Sequence, residues 1–151
     1  MIQILKISTD ISLVAIDRTD PESFALSDVI IRGVNAGNQK YLQERPLFSK
    51  WAPEKSLFIN PIFNLQRYAP GEGFKKWHCE RTISEEATEP VHIFLSWVLY
   101  CDDVDPGGTE FHWQEYHEKA ERGKLIIFPA GLTDIHRGQV NKTNSKTIAT
   151  G

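Results

Sequence analysis

From residue 56 onward the chain is a succession of short runs rich in Ile, Phe, Val, Tyr and Trp, each soon interrupted by Gly, Pro, Asp or Asn. Runs of that length and composition form strands joined by turns, and a chain built from them closes into a sandwich or barrel. Strands are expected at Phe63 to Tyr68, Trp77 to Arg81, Val91 to Cys101, Thr109 to Trp113, Lys124 to Phe128, Asp134 to Val140 and Lys146 to Thr150. Asp105-Pro106-Gly107-Gly108 reads as a turn, because proline presets φ and glycine tolerates positive φ. The first 60 residues differ. Ile11 to Ile16 reads as a short strand, and Asp20-Pro21-Glu22 opens a helix with a cap, a first-position proline and an early acidic residue, for which Gly33 is the expected stop. Asn35 to Lys55 is polar, carries Pro46 and Pro53, and reads as loop or short helix packed by Tyr41, Phe48 and Trp51. At 151 residues the chain is expected to form one domain, with residues 1-60 supporting a β core at 61-151.

Net charge is -3, and Lys and Arg are scattered, so the basic footprint of a nucleic-acid binder is missing and no direct DNA or RNA partner is expected. The longest nearly apolar run, Val91 to Tyr100, is interrupted by His92 and Ser96 and falls well short of the ~20 residues that span a bilayer. The start, Met-Ile-Gln-Ile-Leu-Lys, shows neither a charged n-region nor a small-residue cleavage site, so the expected location is cytoplasmic. In a reducing compartment Cys79 and Cys101 are expected as small buried hydrophobes rather than a disulfide.

The chemistry concentrates in His78-Cys79-Glu80, a distant lone His136, and Lys146 beyond it. On a strand, residues i and i+2 share a face, so His78 and Glu80 can grip one ion together. With His136 arriving from another strand, two nitrogens and one oxygen occupy one side of a metal and leave the other side open, which is the arrangement of non-haem Fe(II) oxygenases. If the last two strands pair through Asn141 to Ser145, Lys146 falls opposite Val140 on the His136 face, about 14 Å along the strand at ~3.4 Å per residue. After the lysine stem is subtracted, the remaining gap has about the length of a five-carbon dicarboxylate.

The ordered set of Leu65-Gln66-Arg67-Tyr68 with Gly71, His78-Cys79-Glu80, Val98-Leu99-Tyr100, Gly107-Gly108-Thr109-Glu110-Phe111, Gly123-Lys124-Leu125-Ile126-Ile127-Phe128-Pro129, His136-Arg137-Gly138 and Lys146 resembles the Fe(II)- and 2-oxoglutarate-dependent dioxygenases, in their prolyl 4-hydroxylase-like branch. The resemblance covers about residues 65 to 151. It implies a mainly β fold, a double-stranded β-helix or jelly roll with a short N-terminal α/β segment packed against it. It implies Fe(II) held by His78, Glu80 and His136, Lys146 on the distal carboxylate of 2-oxoglutarate, Tyr68 as a hydrogen-bonding helper and Thr109 lining the same pocket. The implied reaction uses O2 to hydroxylate an unactivated C-H bond of a small-molecule or peptide substrate, a prolyl residue first among them. The family usually carries aspartate where this chain has Glu80. Two other readings stay open: a jelly-roll binding protein without turnover, and a cupin-like metalloenzyme that takes no keto acid.

The remaining histidines have plainer readings. His112 shares a strand face with Glu110 but reads as rim, His92 as a core histidine and His117 as solvated. Arg137 lies on the opposite strand face from His136 and reads as a structural ion-pair partner. Trp77, Trp97 and Trp113 read as core, with Trp113 nearest the rim.

Overall fold

The computed structural model describes residues 6–15, 17–51, 58–81 and 93–151. In chain order the elements are β1 (Lys6–Ile7), β2 (Thr9–Val14), α1 (Pro21–Gln43), α2 (Pro46–Trp51), β3 (Ile62–Tyr68), β4 (Gly73–Phe74), β5 (Leu95–Tyr100), β6 (Val104–Phe111), β7 (Tyr116–Ala120), β8 (Leu125–Pro129), a 3-10 turn at Leu132–Asp134, β9 (His136–Gly138) and β10 (Lys146–Thr150). Five strands form a large antiparallel sheet in the order β2-β3-β10-β5-β8, three form a small one in the order β7-β6-β9, and β1 pairs with β4.

Strand alternation gives the large sheet two buried faces. Leu13, Phe63, Trp97 and Ala149 point outward and pack under α1 against Ile30 and Val34. Tyr68, Val98, Tyr100, Phe128 and Ile148 point inward, joining Val104 and Ala120 of the small sheet in a second core. Two facing antiparallel sheets, one backed by a helix, make the mainly β jelly roll that the sequence implied. Among the described residues no helix is long and apolar enough to cross a membrane.

Helix α1 begins as its sequence predicts: Asp20 sits in extended conformation and its side chain accepts the Glu22 N–H. It does not stop at Gly33. A glycine inside a helix costs only about 1 kcal/mol relative to alanine, less than burying Ile30 and Val34 on the sheet returns. Gly37 in the next turn lets the helix approach β8, where a Cβ would lie 2.5 Å from a Leu125 methyl. The stretch read as loop or short helix therefore continues α1 through Gln43 and then forms the short helix α2. Tyr41 carries the Arg45 guanidinium 3.7 Å above its ring, Phe48 is half-buried, and the Trp51 side chain, with Pro53 and Lys55, lies outside the described residues.

The strand expectations hold for β3, β5, β8 and β10, the last over the same residues. Ile16, Val91 and His92 fall outside the described residues. Four expectations are corrected. Trp77 to Arg81 is not a ladder strand, for only His78 bridges, to His136. The Asp105 to Gly108 turn lies inside β6, where the register against β7 shifts between Val104 and Thr109. Its glycines serve close approach rather than a turn, since a Cβ on Gly108 would lie 1.6 Å from the Glu118 carbonyl oxygen. Strand β7 was unread because Tyr-His-Glu-Lys-Ala is mostly polar and its turn bends at Glu115, φ 49°, without the usual glycine or asparagine. Finally, β9 and β10 do not form a hairpin. Asn141 accepts the N–H groups of Thr143 and Asn144 at 2.8 and 2.6 Å and donates to the Pro106 carbonyl at 2.9 Å, which anchors the loop to β6 and sends β10 across to the large sheet. Lys146 accordingly pairs with Tyr68 rather than Val140.

The Gly108 contact gives the first test. Gly108→Ala should cost about 3 kcal/mol or more of unfolding free energy, because backbone rather than a flexible side chain must move. Urea denaturation measures it, and a variant as stable as the parent would show that β6 and β7 can separate freely there.

Candidate metal centre

Three potential ligands converge at the mouth of the space between the sheets. The His78 and His136 backbones exchange both hydrogen bonds, at 3.0 and 2.9 Å, so the two residues form a hydrogen-bonded antiparallel pair with side chains on one side. Their ring centroids lie 4.4 Å apart. Glu80 is two residues further along the same extended segment, and its Oε1 lies 3.5 Å from His78 Nε2 and 3.4 Å from His136 Nε2. All three donor atoms lie within 4.8 Å of one another.

The tautomers are arranged for coordination. His78 Nδ1 donates to the Lys76 carbonyl and His136 Nδ1 to the Asp134 carbonyl, both at 2.9 Å, which leaves each Nε2 lone pair facing the Glu80 carboxylate. Two imidazole lone pairs and a carboxylate oxygen aimed at one point can hold a cation between them. Ligand atoms about 2.1 Å from a shared transition metal sit roughly 3 to 3.5 Å from each other, the separation found here between Glu80 and each imidazole. The donor set therefore fits Fe(II), as it fits other divalent ions of similar preference. Where the rings carry a proton at Nε2 instead, hydrogen bonds from His136 and His78 hold the Glu80 carboxyl at about 2, far below the usual carboxylate range, although burial works against them. Aromatic rings wall the site: Phe128 and Phe111 lie 4.7 and 5.8 Å from the His136 ring, and Phe74 lies 3.8 Å from the His78 ring.

The same cavity, about 1290 Å³, extends inward from the triad to Lys146, Tyr68, Tyr100 and Thr109. Lys146 is 4% exposed and its Nζ donates to the carbonyls of Gly107 at 2.6 Å and Gln139 at 2.9 Å. It has no ion-pair partner among the described residues, and burial pushes its ammonium down to about 8. Tyr68 is buried with its ring centroid 5.3 Å from that ammonium, and its hydroxyl donates to Gln66 Oε1 at 2.8 Å. Thr109 shares a 2.7 Å hydrogen bond with the Tyr100 hydroxyl, and burial raises the Tyr100 phenol to about 12.

All six residues singled out in the sequence thus line one cavity: His78, Glu80 and His136 as a compact set, Lys146, Tyr68 and Thr109 beyond it. Gln66 and Tyr100 belong there too and were not singled out as site residues. A tyrosine in an apolar strand reads as core, and only inward register beside Thr109 marks it otherwise. The plainer readings stand for Arg137, whose Nε lies 2.6 Å from Glu110 Oε2, and for His112 and His117, both exposed. Trp97 is core, Trp77 instead stacks on Arg137 and His112, and Trp113 is exposed and donates to the Leu132 carbonyl. Cys79 and Cys101 are free thiols.

The chain should bind one divalent transition ion, followed through the visible spectrum of Co(II). Glu80→Ala or His136→Ala should weaken it by more than the ~10–100-fold that loss of an outer-shell partner costs. Unchanged affinity in either variant would remove that residue from the ligand set.

No family model matches this sequence, and no curated protein matches it. Solved structures do. A viral collagen prolyl hydroxylase from Paramecium Bursaria Chlorella virus-1, in complex with 2-oxoglutarate, is 17% identical with a TM-score of 0.64, over 96% of this chain and 77% of that one. A Pseudomonas putida prolyl-4-hydroxylase is 15% identical with a TM-score of 0.61, over 97% of this chain and 71% of that one. At these identities the likeness concerns the fold alone, which this chain shares with those two hydroxylases.

Proposed function

We propose that this chain is an Fe(II)- and 2-oxoglutarate-dependent dioxygenase that hydroxylates an unactivated C-H bond, with a prolyl residue in a peptide or protein as its first candidate substrate. The observation that carries the reading is Lys146: a buried ammonium, hydrogen-bonded to two carbonyls and without an ion-pair partner among the described residues, facing the cavity that the His78, Glu80 and His136 donors also face. Leaving a buried cation without an anion is costly, and an anionic ligand would relieve that cost. A keto acid with two carboxylates can meet the metal at one end and the ammonium at the other. The fold likeness to a collagen prolyl hydroxylase in complex with 2-oxoglutarate supports the same assignment and supplies the prolyl suggestion.

His78, Glu80 and His136 would hold Fe(II), leaving its remaining positions toward the cavity. Bound there, the iron supplies the oxidative chemistry that couples conversion of 2-oxoglutarate and O2 to succinate and carbon dioxide with hydroxylation of the substrate. Lys146 would orient the cosubstrate, with the Tyr100–Thr109 hydroxyl pair beside it offering further hydrogen bonds. Tyr68 and Gln66 line the wall between the two ends. Phe74, Phe111 and Phe128 exclude water from the reacting centre.

Anaerobic titration of the Fe(II)-loaded chain with 2-oxoglutarate, followed by the metal-to-ligand charge-transfer band, should saturate. Lys146→Ala should raise Kd at least about 30-fold, since removing one partner of a buried charge pair costs ~2 kcal/mol or more. No band despite bound iron would sink the dioxygenase reading and leave a cupin-like metalloenzyme or a binding protein in its place.

Binding should also depend on pH. The unliganded ammonium titrates near 8, and binding the distal carboxylate requires the protonated form. Below pH 8 affinity is constant. Above it each binding event takes up a proton, so Kd rises about tenfold per pH unit. In Lys146→Ala that slope should vanish, and an unaltered slope would assign it to another group.

A further inference from the structure

The outer face of the small sheet carries a hydrogen-bonded network centred on Glu110. Its neighbours on β6, Thr109 and Phe111, point inward to Tyr100 and to His136, so Glu110 points away from the cavity. Each carboxylate oxygen has a separate partner. Oε2 accepts from Arg137 Nε at 2.6 Å, and the Arg137 guanidinium lies 4.3 Å over the Trp77 ring. Trp77 precedes His78 in the chain and Arg137 follows His136. This arm fastens together the two segments that carry the imidazoles.

Oε1 accepts from Gln139 Nε2 at 3.1 Å, while Gln139 Oε1 accepts the N–H groups of Gly107 and Gly108 at 3.3 and 3.2 Å. The carbonyls of Gly107 and Gln139 are the two acceptors that aim Lys146. This second arm fixes the other end of the cavity. The ladder gives limited help, since β9 has three residues and the His78 segment has one bridge. The half-exposed Arg137–Glu110 pair contributes little to global stability. Its effect therefore falls on placement.

We infer that Glu110 is a positioning residue that fixes the span between the metal-binding face and the Lys146 ammonium, and thereby selects the chain length of the dicarboxylate that fits between them. The inference rests on the dioxygenase reading for its cosubstrate and on the described geometry for its metal half.

The test uses the full chain and two binding readouts. Co(II) affinity reports the Arg137–Trp77 arm. The ratio of Kd values for 2-oxoglutarate and its six-carbon homologue 2-oxoadipate, measured on the metal-loaded protein, reports the Gln139 arm. Glu110→Ala should lose about tenfold in metal affinity, the lower end of the range for outer-shell partners, and its preference for the five-carbon acid should narrow several-fold, with the melting temperature nearly unchanged. Trp77→Leu should lower metal affinity alone, and Gln139→Ala should narrow the preference alone. A folded Glu110→Ala with parental metal affinity and preference would overturn the inference. Should that variant fail to fold, parental values in the isosteric Glu110→Gln, which cannot accept from both partners, would overturn it equally. If the parent chain takes no keto acid, the cosubstrate reading and the length selection fall together, whereas a metal affinity that still drops in Glu110→Ala separates that failure from one at Glu110.

Discussion

The candidate site depends on one backbone pair. His78 and His136 exchange reciprocal N–H···O bonds, and among the described residues that exchange is the single β-bridge between the His78 segment and the small sheet. An antiparallel hydrogen-bonded pair places both side chains on the same side, so one local contact brings two imidazoles from remote parts of the chain to a common point. Side-chain hydrogen bonds alone would leave the rings free to turn. Here the backbone fixes their origins while the Lys76 and Asp134 carbonyls fix their tautomers, and the carboxylate follows two residues later on the same segment. Phe111, opposite His136 in the β6 register, then closes the wall behind the ring.

Lys146 faces the opposite balance of forces. Among the described residues, the buried side chains of the inner core around it are, apart from the His136 imidazole, apolar or hydroxyl- or amide-bearing groups with a partner, whereas the ammonium carries a charge that two carbonyls solvate only in part. A fold selected for stability alone would place methionine or leucine there. Keeping a cation at that depth makes sense under the proposed function, where a carboxylate completes it, and burial lowers its proton affinity.

The sequence made the chemistry legible sooner than the path of the chain. Short runs of β-forming residues bounded by turn residues identified β3, β5, β8 and β10, and the Asp20-Pro21-Glu22 signature placed the start of α1, because those signals are local. The hairpin between the final strands could not be excluded by local signals. Its loop length permits pairing, and what prevents it is Asn141 reaching Pro106 some 35 positions back in the chain. The inferred proximity of Lys146 to the His136 cavity nevertheless survives, by a different route: the lysine projects from the large sheet toward the small one instead of lying beside the histidine along one ladder. Gly107 and Gly108 illustrate the same limit, since a glycine required by a neighbouring backbone looks identical in sequence to a glycine required by a turn.

Glu80 gains its meaning from the same departure from regularity. On an ordered ladder strand the distance from the backbone to side chains of a neighbouring strand is set by the sheet. Here the segment beyond His78 leaves the ladder after a single bridge and next joins the body at Arg81, whose N–H donates to the Ala130 carbonyl at 3.1 Å. The backbone between those two anchors is not held at sheet spacing. The longer glutamate arm spans what remains and sets one carboxylate oxygen almost equally far from both imidazole nitrogens, 3.5 and 3.4 Å. Its side chain is also the most exposed of the three donors. The extra methylene is thus matched to a backbone standing off the sheet. Shortening the arm would draw the oxygen away from the point where the two lone pairs meet unless the backbone followed it inward, and the Arg81 anchor opposes that movement.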